Sequence, residues 1–217
     1  MKKTNKFIII ISMLIAISCS NESKTDHNSV TKSSKDVEIT TKTEESVVHN
    51  QERYFNIKSG HIKYSTNTAG QELIREWWFD DYGNKQYEEN YLVIDGKKSG
   101  DKALMIDGFK YKWNFDATNG TKTRYYQAKT NYNQISEKDI ERFGIKKHGF
   151  EVFMGKECLK VSTEKPKSIS WVWENIVLKS ETEIGGQKVI MQAIDINEEQ
   201  PSASLFELPL GISFEEK

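Results

Sequence analysis

The chain is poor in the residues that build most enzyme and metal sites. Its 217 residues include two cysteines, three prolines and four histidines. Two cysteines cannot make a disulfide framework. Beyond residue 50 only His61 and His148 remain, fewer ligands than a structural zinc needs. His61 alternates with Ile62 on an expected strand, and His148 precedes Gly149 in an expected turn. There is no Gly-x-Ser-x-Gly turn, no His-Glu-x-x-His helix and no Walker loop. The stretch GKKSGDK, from Gly96 to Lys102, lacks the upstream glycine spacing and reads as a hairpin turn. Asp80, Asp81 and Asn84 offer oxygens around a turn at the wrong spacing for an EF-hand. The expectation is a protein with no catalytic residues, no metal and no cofactor.

Long apolar runs are also missing. The longest, Phe7 to Ile17, is about half of the ~20 residues that cross a bilayer. Lys2, Lys3 and Lys6 precede it and the small residues Ala16 and Ser18 lie at its end, as in a secretory signal. Ala16-Ile17-Ser18-Cys19 resembles the lipobox of bacterial lipoproteins, which implies lipidation of the Cys19 thiol and cleavage before it. Residues 1–18 are then a signal peptide. Several acyl chains such as palmitate on Cys19 would hold the protein to the cell envelope. The resemblance implies the outer membrane, facing the periplasm or the surface.

Loss of three lysines before Cys19 leaves 28 basic against 32 acidic residues, a net charge of −4. A nucleic-acid partner needs a basic stripe, so none is expected. From Ser20 to Asn50 there is not one aromatic residue. Such a segment cannot bury enough apolar surface to offset its ordering entropy, and residues 19–50 read as a lipidated N-terminus and disordered tether. Residues 51–217 read as one domain.

Within that domain apolar residues recur with period two, the mark of half-buried strands. Phe109, Tyr111, Trp113 and Phe115 alternate with Lys110, Lys112 and Asn114. Ile169, Trp171 and Trp173 repeat the pattern. Further strands are expected at Tyr54–Ile57, His61–Ser65, Glu72–Phe79, Gln86–Val93, Thr123–Ala128, Phe150–Met154, Glu157–Val161, Val177–Glu183 and Lys188–Ile196. Asp95-Gly96, Asn119-Gly120, Gly155-Lys156 and Gly185-Gly186 are turn signals between them. Ser136 to Gly144 has the capping residues of a short helix, and PSASLFELP suits one helical turn. In KVIMQAIDI, alternation places Ile190, Ile194 and Ile196 on one face and Val189, Met191 and Ala193 on the other, so both faces should be covered. The fold class is mainly β, an antiparallel meander.

The C-terminal half runs from GFEVFMGKECLKV through SWVWENIVLKSE and the strand after Gly185-Gly186 to PSASLFELPLG. This order resembles the outer-membrane lipoprotein carrier (LolA/LolB-like) superfamily. The resemblance covers roughly residues 53–214. It implies a strongly curved, unclosed antiparallel sheet, a half-barrel, with one or a few short helices. No functional residue of that superfamily matches here one by one.

Two function classes follow. One is a non-enzymatic carrier or sensor, in which Tyr111, Trp113, Phe115, Trp171 and Trp173 line a cavity for an acyl chain, lipid or lipoprotein. The other is an envelope interaction module, in which the same aromatics fill the core and the surface binds a protein. Trp77 and Trp78 cannot share a face. Cys158 alternates with Lys160 and Ser162, which places it on a face that is not plainly buried; a reactive thiol there would need exposure and electropositive neighbours.

Overall fold

The computed structural model describes residues 53–68, 71–127 and 130–217. Cys19 and the segments expected to be a signal peptide and a tether lie outside the described residues. Twelve strands form one sheet: β1 (Gly60–Thr68), β2 (Gln71–Asp80), β3 (Lys85–Ile94), β4 (Lys97–Ile106), β5 (Phe109–Asn114), β6 (Asn119–Arg124), β7 (Lys146–Phe153), β8 (Lys156–Glu164), β9 (Lys167–Trp173), β10 (Ile176–Ile184), β11 (Gln187–Asn197) and β12 (Ser213–Glu216). Their order is β12-β6-β5-β4-β3-β2-β1-β11-β10-β9-β8-β7. Two meanders, β1–β6 and β7–β11, therefore join along β1 and β11. Strands β7 and β12 are not paired with each other, so the sheet stays unclosed, as the half-barrel expectation requires.

Five hairpins turn on two residues that both take positive φ, the type I′ geometry whose twist matches that of the strands. They are Asp95-Gly96, Asp107-Gly108, Met154-Gly155, Glu174-Asn175 and Gly185-Gly186. The single α-helix among the described residues, α1 (Glu137–Phe143), starts where the Ser136 side chain accepts from the Asp139 N–H and stops at left-handed Gly144. The expected turn in PSASLFELP is a 3₁₀ turn, Ala203–Phe206.

Several local expectations are corrected. GKKSGDK is not a turn beyond Gly96, because β4 runs straight through it; its lysines, serine and aspartate are weak strand formers, recruited by pairing with β3. Asn119-Gly120 opens β6 rather than turning the chain. Tyr54–Ile57 is a bent segment, not a strand. Its backbone N–H groups donate to the Tyr82 and Glu174 carbonyls, which drops the buried Phe55 ring against Trp77 and Phe79. The strand expected at Thr123–Ala128 ends at Arg124, with Ala128 itself outside the described residues, and β12 had no sequence signal.

The alternation of β11 fails at Ile194. The register with β1 shifts there: Lys63 pairs with Asp195 and Tyr64 with Ala193, so Ile194 is the extra residue of a bulge. Ile196 then lies beside Ile62, whereas Ile190 lies beside Asn67 on the opposite face. The three isoleucines do not share a side, and Ile194 is exposed.

Side chains pack into two main clusters. One gathers Phe55, Ile62, Tyr64, Trp77, Phe79, Cys158, Trp171, Ile176, Leu178 and Ala193. The other gathers Tyr87, Leu104, Trp113 and Phe206, with Trp78, Tyr111 and Phe214 against it.

Candidate interaction site

Register assigns the aromatics to faces. Trp77 sits between Ile62 and Glu88, and Trp78 between His61 and Tyr87, so the two tryptophans point to opposite sides. Tyr111 and Trp113 stand in the rows of Leu104 and Lys102, on the Trp78 side. Here the C-terminal segment covers them. Phe206 is buried in the cluster, and Leu205, Ile212 and Phe214 pack around it. Phe214 lies edge-on to both Tyr111 and Trp113, with centroids 5.2 and 5.8 Å away. Phe115 stands apart, edge-on to Tyr91, with Lys102 over its ring at 4.7 Å.

Trp171 and Trp173 belong to the other cluster. Lys160 and Lys179 flank the Trp171 ring at 4.9 and 4.3 Å, and Lys156 lies 4.5 Å over Trp173. The five expected cavity residues are therefore not brought together: Tyr111 and Trp113 fall in one group, Trp171 and Trp173 in another.

Charge is handled locally on both faces. On the Trp77 side Glu88 is 8% exposed and meets Arg75 at 2.8 Å and Lys110 at 3.2 Å. Burial opposes its ionisation, but the two cations outweigh burial and hold the carboxyl below the usual range. On the Trp78 side His61 stacks on Trp78, centroids 4.5 Å apart, and faces Glu76 at 3.7 Å. Its Nε2 is buried without a hydrogen-bond partner. Burial lowers the His61 pKa more than Glu76 raises it, so the near contact with a carboxylate does not make it a cation.

Cys158 is fully buried, which corrects the expectation of an open face. Strand β8 turns this side chain into the packed cluster that also holds Trp171. Burial pushes the thiol pKa up, the opposite of what a nucleophile requires. Among the described residues no group of three or more His, Cys, Asp or Glu could hold a metal ion, and no helix is long and apolar enough to cross a membrane. Asp80 is a capping residue, its side chain accepting from the Asp81 N–H at 2.8 Å. His148 is exposed, and its Nε2 hydrogen-bonds with Ser162 Oγ at 2.7 Å.

Among the described residues the sheet has two outer edges, β12 and β7, and β7 is the longer. All its residues from Lys146 to Val152 are exposed. Phe150 and Val152 share the face that carries Leu159 and Glu157 on β8. A cavity of about 150 Å³ adjoins them, lined in part by Phe150, Leu159, Val172, Tyr132 and Glu157. The sequence marked Phe150–Met154 as a strand but held no sign that it would be an edge.

No family model and no curated protein matches this chain. Among solved structures, an uncharacterized conserved protein from Thermus thermophilus is similar over 74% of this chain and 91% of its own, at 7% identity and a TM-score of 0.52. A MucA/MucB complex from Pseudomonas aeruginosa is similar over 70% of this chain at 13% identity and a TM-score of 0.46, and this chain spans 56% of that one. A LolA superfamily protein from Nitrosomonas europaea gives 12% identity, 71% and 92% coverage and a TM-score of 0.33. The class defined here is one of fold: a curved, unclosed half-barrel, antiparallel except where β12 pairs with β6 in parallel, the architecture implied by the resemblance to the lipoprotein carrier superfamily. At these identities no residue's role carries over.

Proposed function

We propose that this chain is a non-enzymatic protein of the bacterial cell envelope, anchored through lipid on Cys19, whose half-barrel domain binds a polypeptide partner. The observation that carries this reading is the closure of the aromatic face by the chain itself. Phe214 stands beside Tyr111 and Trp113 on the same face of the sheet, and Phe206 and Ile212 pack into the same cluster, so the chain's own side chains take up apolar surface that a carrier would offer to an acyl chain. A filled sheet with an open edge suits recognition of another chain.

Native mass spectrometry of the purified protein tests this reading against the carrier. The expected spectrum carries no lipid beyond the covalent anchor. A stoichiometric, non-covalently bound lipid would favour the carrier. The anchor has its own test: Cys19→Ala should abolish incorporation of a fatty-acid analogue and release the protein from membranes or leave it unprocessed. A processed, unlabelled mutant that stays on membranes would contradict it.

A further inference from the structure

Strand β7 pairs only with β8 among the described residues. An outer strand presents a row of unpaired amides and carbonyls, and folded proteins blunt such rows with charge, proline or bulges. The two halves of β7 differ in this respect. From Lys146 to Gly149 the edge is blunted by two lysines and by a register shift between Lys147 and Phe150. Both lysines are also tied down, Lys146 to Glu164 at 2.9 Å and Lys147 to the Asn133 carbonyl at 3.0 Å. From Phe150 to Phe153 the pairing with Leu159–Lys156 is regular. This half holds no lysine, proline or bulge: its one charge, Glu151, is on the other face and paired with Lys160 at 2.9 Å, while Phe150 and Val152 are 66% and 71% exposed.

The adjoining cavity adds chemistry. Its floor is the cross-strand row Phe150–Leu159–Val172. Glu157 and Glu174 also line it. Other glutamates of this half of the sheet, Glu151, Glu164, Glu181 and Glu183, each meet a lysine. Among the described residues Glu157 and Glu174 meet none. The rest of the lining is mainly polar, with Asn56, Asn133 and Asn175 around that short apolar row; two uncompensated carboxylates beside it complement a lysine or arginine, whose stem covers apolar surface while its cation stays in water or beside an anion. An acyl chain would leave both carboxylates unmatched.

We propose that Phe150–Phe153 is the docking edge for an extended basic segment of a partner polypeptide, which adds a strand beside β7 and directs a lysine or arginine toward Glu157 and Glu174. This proposal rests on the reading of the domain as a polypeptide-binding module. In strand addition the main chain supplies affinity and alternate side chains supply specificity. The geometry suits it. Val152 pairs directly with Glu157, so a residue opposite Val152 on an added strand lies two strand spacings, ~10 Å, from Glu157. A lysine or arginine and a glutamate together span that distance over the Val152 side chain.

The test is selection of random dodecapeptides displayed against the immobilised full chain. Enriched peptides should carry Lys or Arg among alternating β-branched or aromatic residues. They should bind at least about tenfold more weakly to Phe150→Ala/Val152→Thr, whose exposed substitutions should leave the thermal melt unchanged. Glu157→Gln/Glu174→Gln should retain binding of neutral strand-forming peptides and lose the preference for Lys and Arg. Enrichment without basic residues, or equal binding to wild type and Phe150→Ala/Val152→Thr, would overturn the docking edge while leaving a polypeptide-binding surface elsewhere. A saturable lipid response by the same preparation would overturn the underlying reading itself.

Discussion

Phe214 stands edge-on to Trp113, their ring centroids 5.8 Å apart at an interplanar angle of 80°. The contact depends on Gly120, which pairs with Trp113 on β5 and with Phe214 on β12. A Cβ at Gly120 would lie 2.7 Å from the Phe214 ring and 2.6 Å from the Lys112 carbonyl oxygen. The absent side chain on β6 thus lets the C-terminal strand close the aromatic face.

Because Trp113 is core, shortening it costs stability rather than ligand affinity. Trp113→Leu should destabilise the protein by about 2–4 kcal/mol, within the range for large-to-small core changes. Gly120→Ala should cost about 1–3 kcal/mol by overpacking against Phe214. Denaturant midpoints measure both. An unchanged midpoint in Trp113→Leu would show that the residue faces an open space.

The alternation of β5 and the opposite senses of Trp77 and Trp78 were legible in the sequence because they depend only on the two-residue period of a strand. So were the Asp-Gly and Gly-Gly hairpins, whose positive φ values those residues tolerate. What could not be read was long-range. Phe55 looks like a strand residue until its backbone is captured by Tyr82 and its neighbour's by Glu174. Ile194 looks inward until the β1 register shifts beneath it. The open edge at β7 exists because β1 pairs with β11, a contact between residues far apart in the chain that no local pattern encodes. Of the expected site residues, Tyr111 and Trp113 share a face, but of their neighbours Phe206 comes from a segment with only a weak turn signal and Phe214 from β12, which has none.

His61 gives the fold a pH dependence of definite sign. Its folded pKa lies below 6.5 because burial penalises the cation. As pH falls through about 6.5 the unfolded chain takes up this proton before the folded one, so the His61 contribution to stability falls with pH in that window. His61→Phe keeps a ring against Trp78 and removes the titration. The unfolding midpoint of wild type should therefore drop more between about pH 7 and pH 5 than that of the variant. Parallel pH profiles would exclude His61 as the source.

Cys158 should be silent toward thiol reagents in the native protein. The residue is fully buried and its pKa is raised by burial, so little thiolate is exposed to react. Reaction with a chromogenic disulfide should proceed at the rate of unfolding and speed up with denaturant. Immediate stoichiometric labelling in buffer would contradict the packing of β8 into the Trp171 cluster.

The central claim is that the chain fills its own aromatic face and therefore binds a polypeptide, not an acyl chain. The most direct measurement is a titration of the purified protein with a long-chain fatty acid below its micellar concentration, read by tryptophan fluorescence. Trp113, packed against Phe214 and Tyr87, has little water left to lose, so the account predicts no saturable blue shift. A saturable shift that disappears in Trp113→Leu, with the denaturation midpoint unchanged, would contradict it.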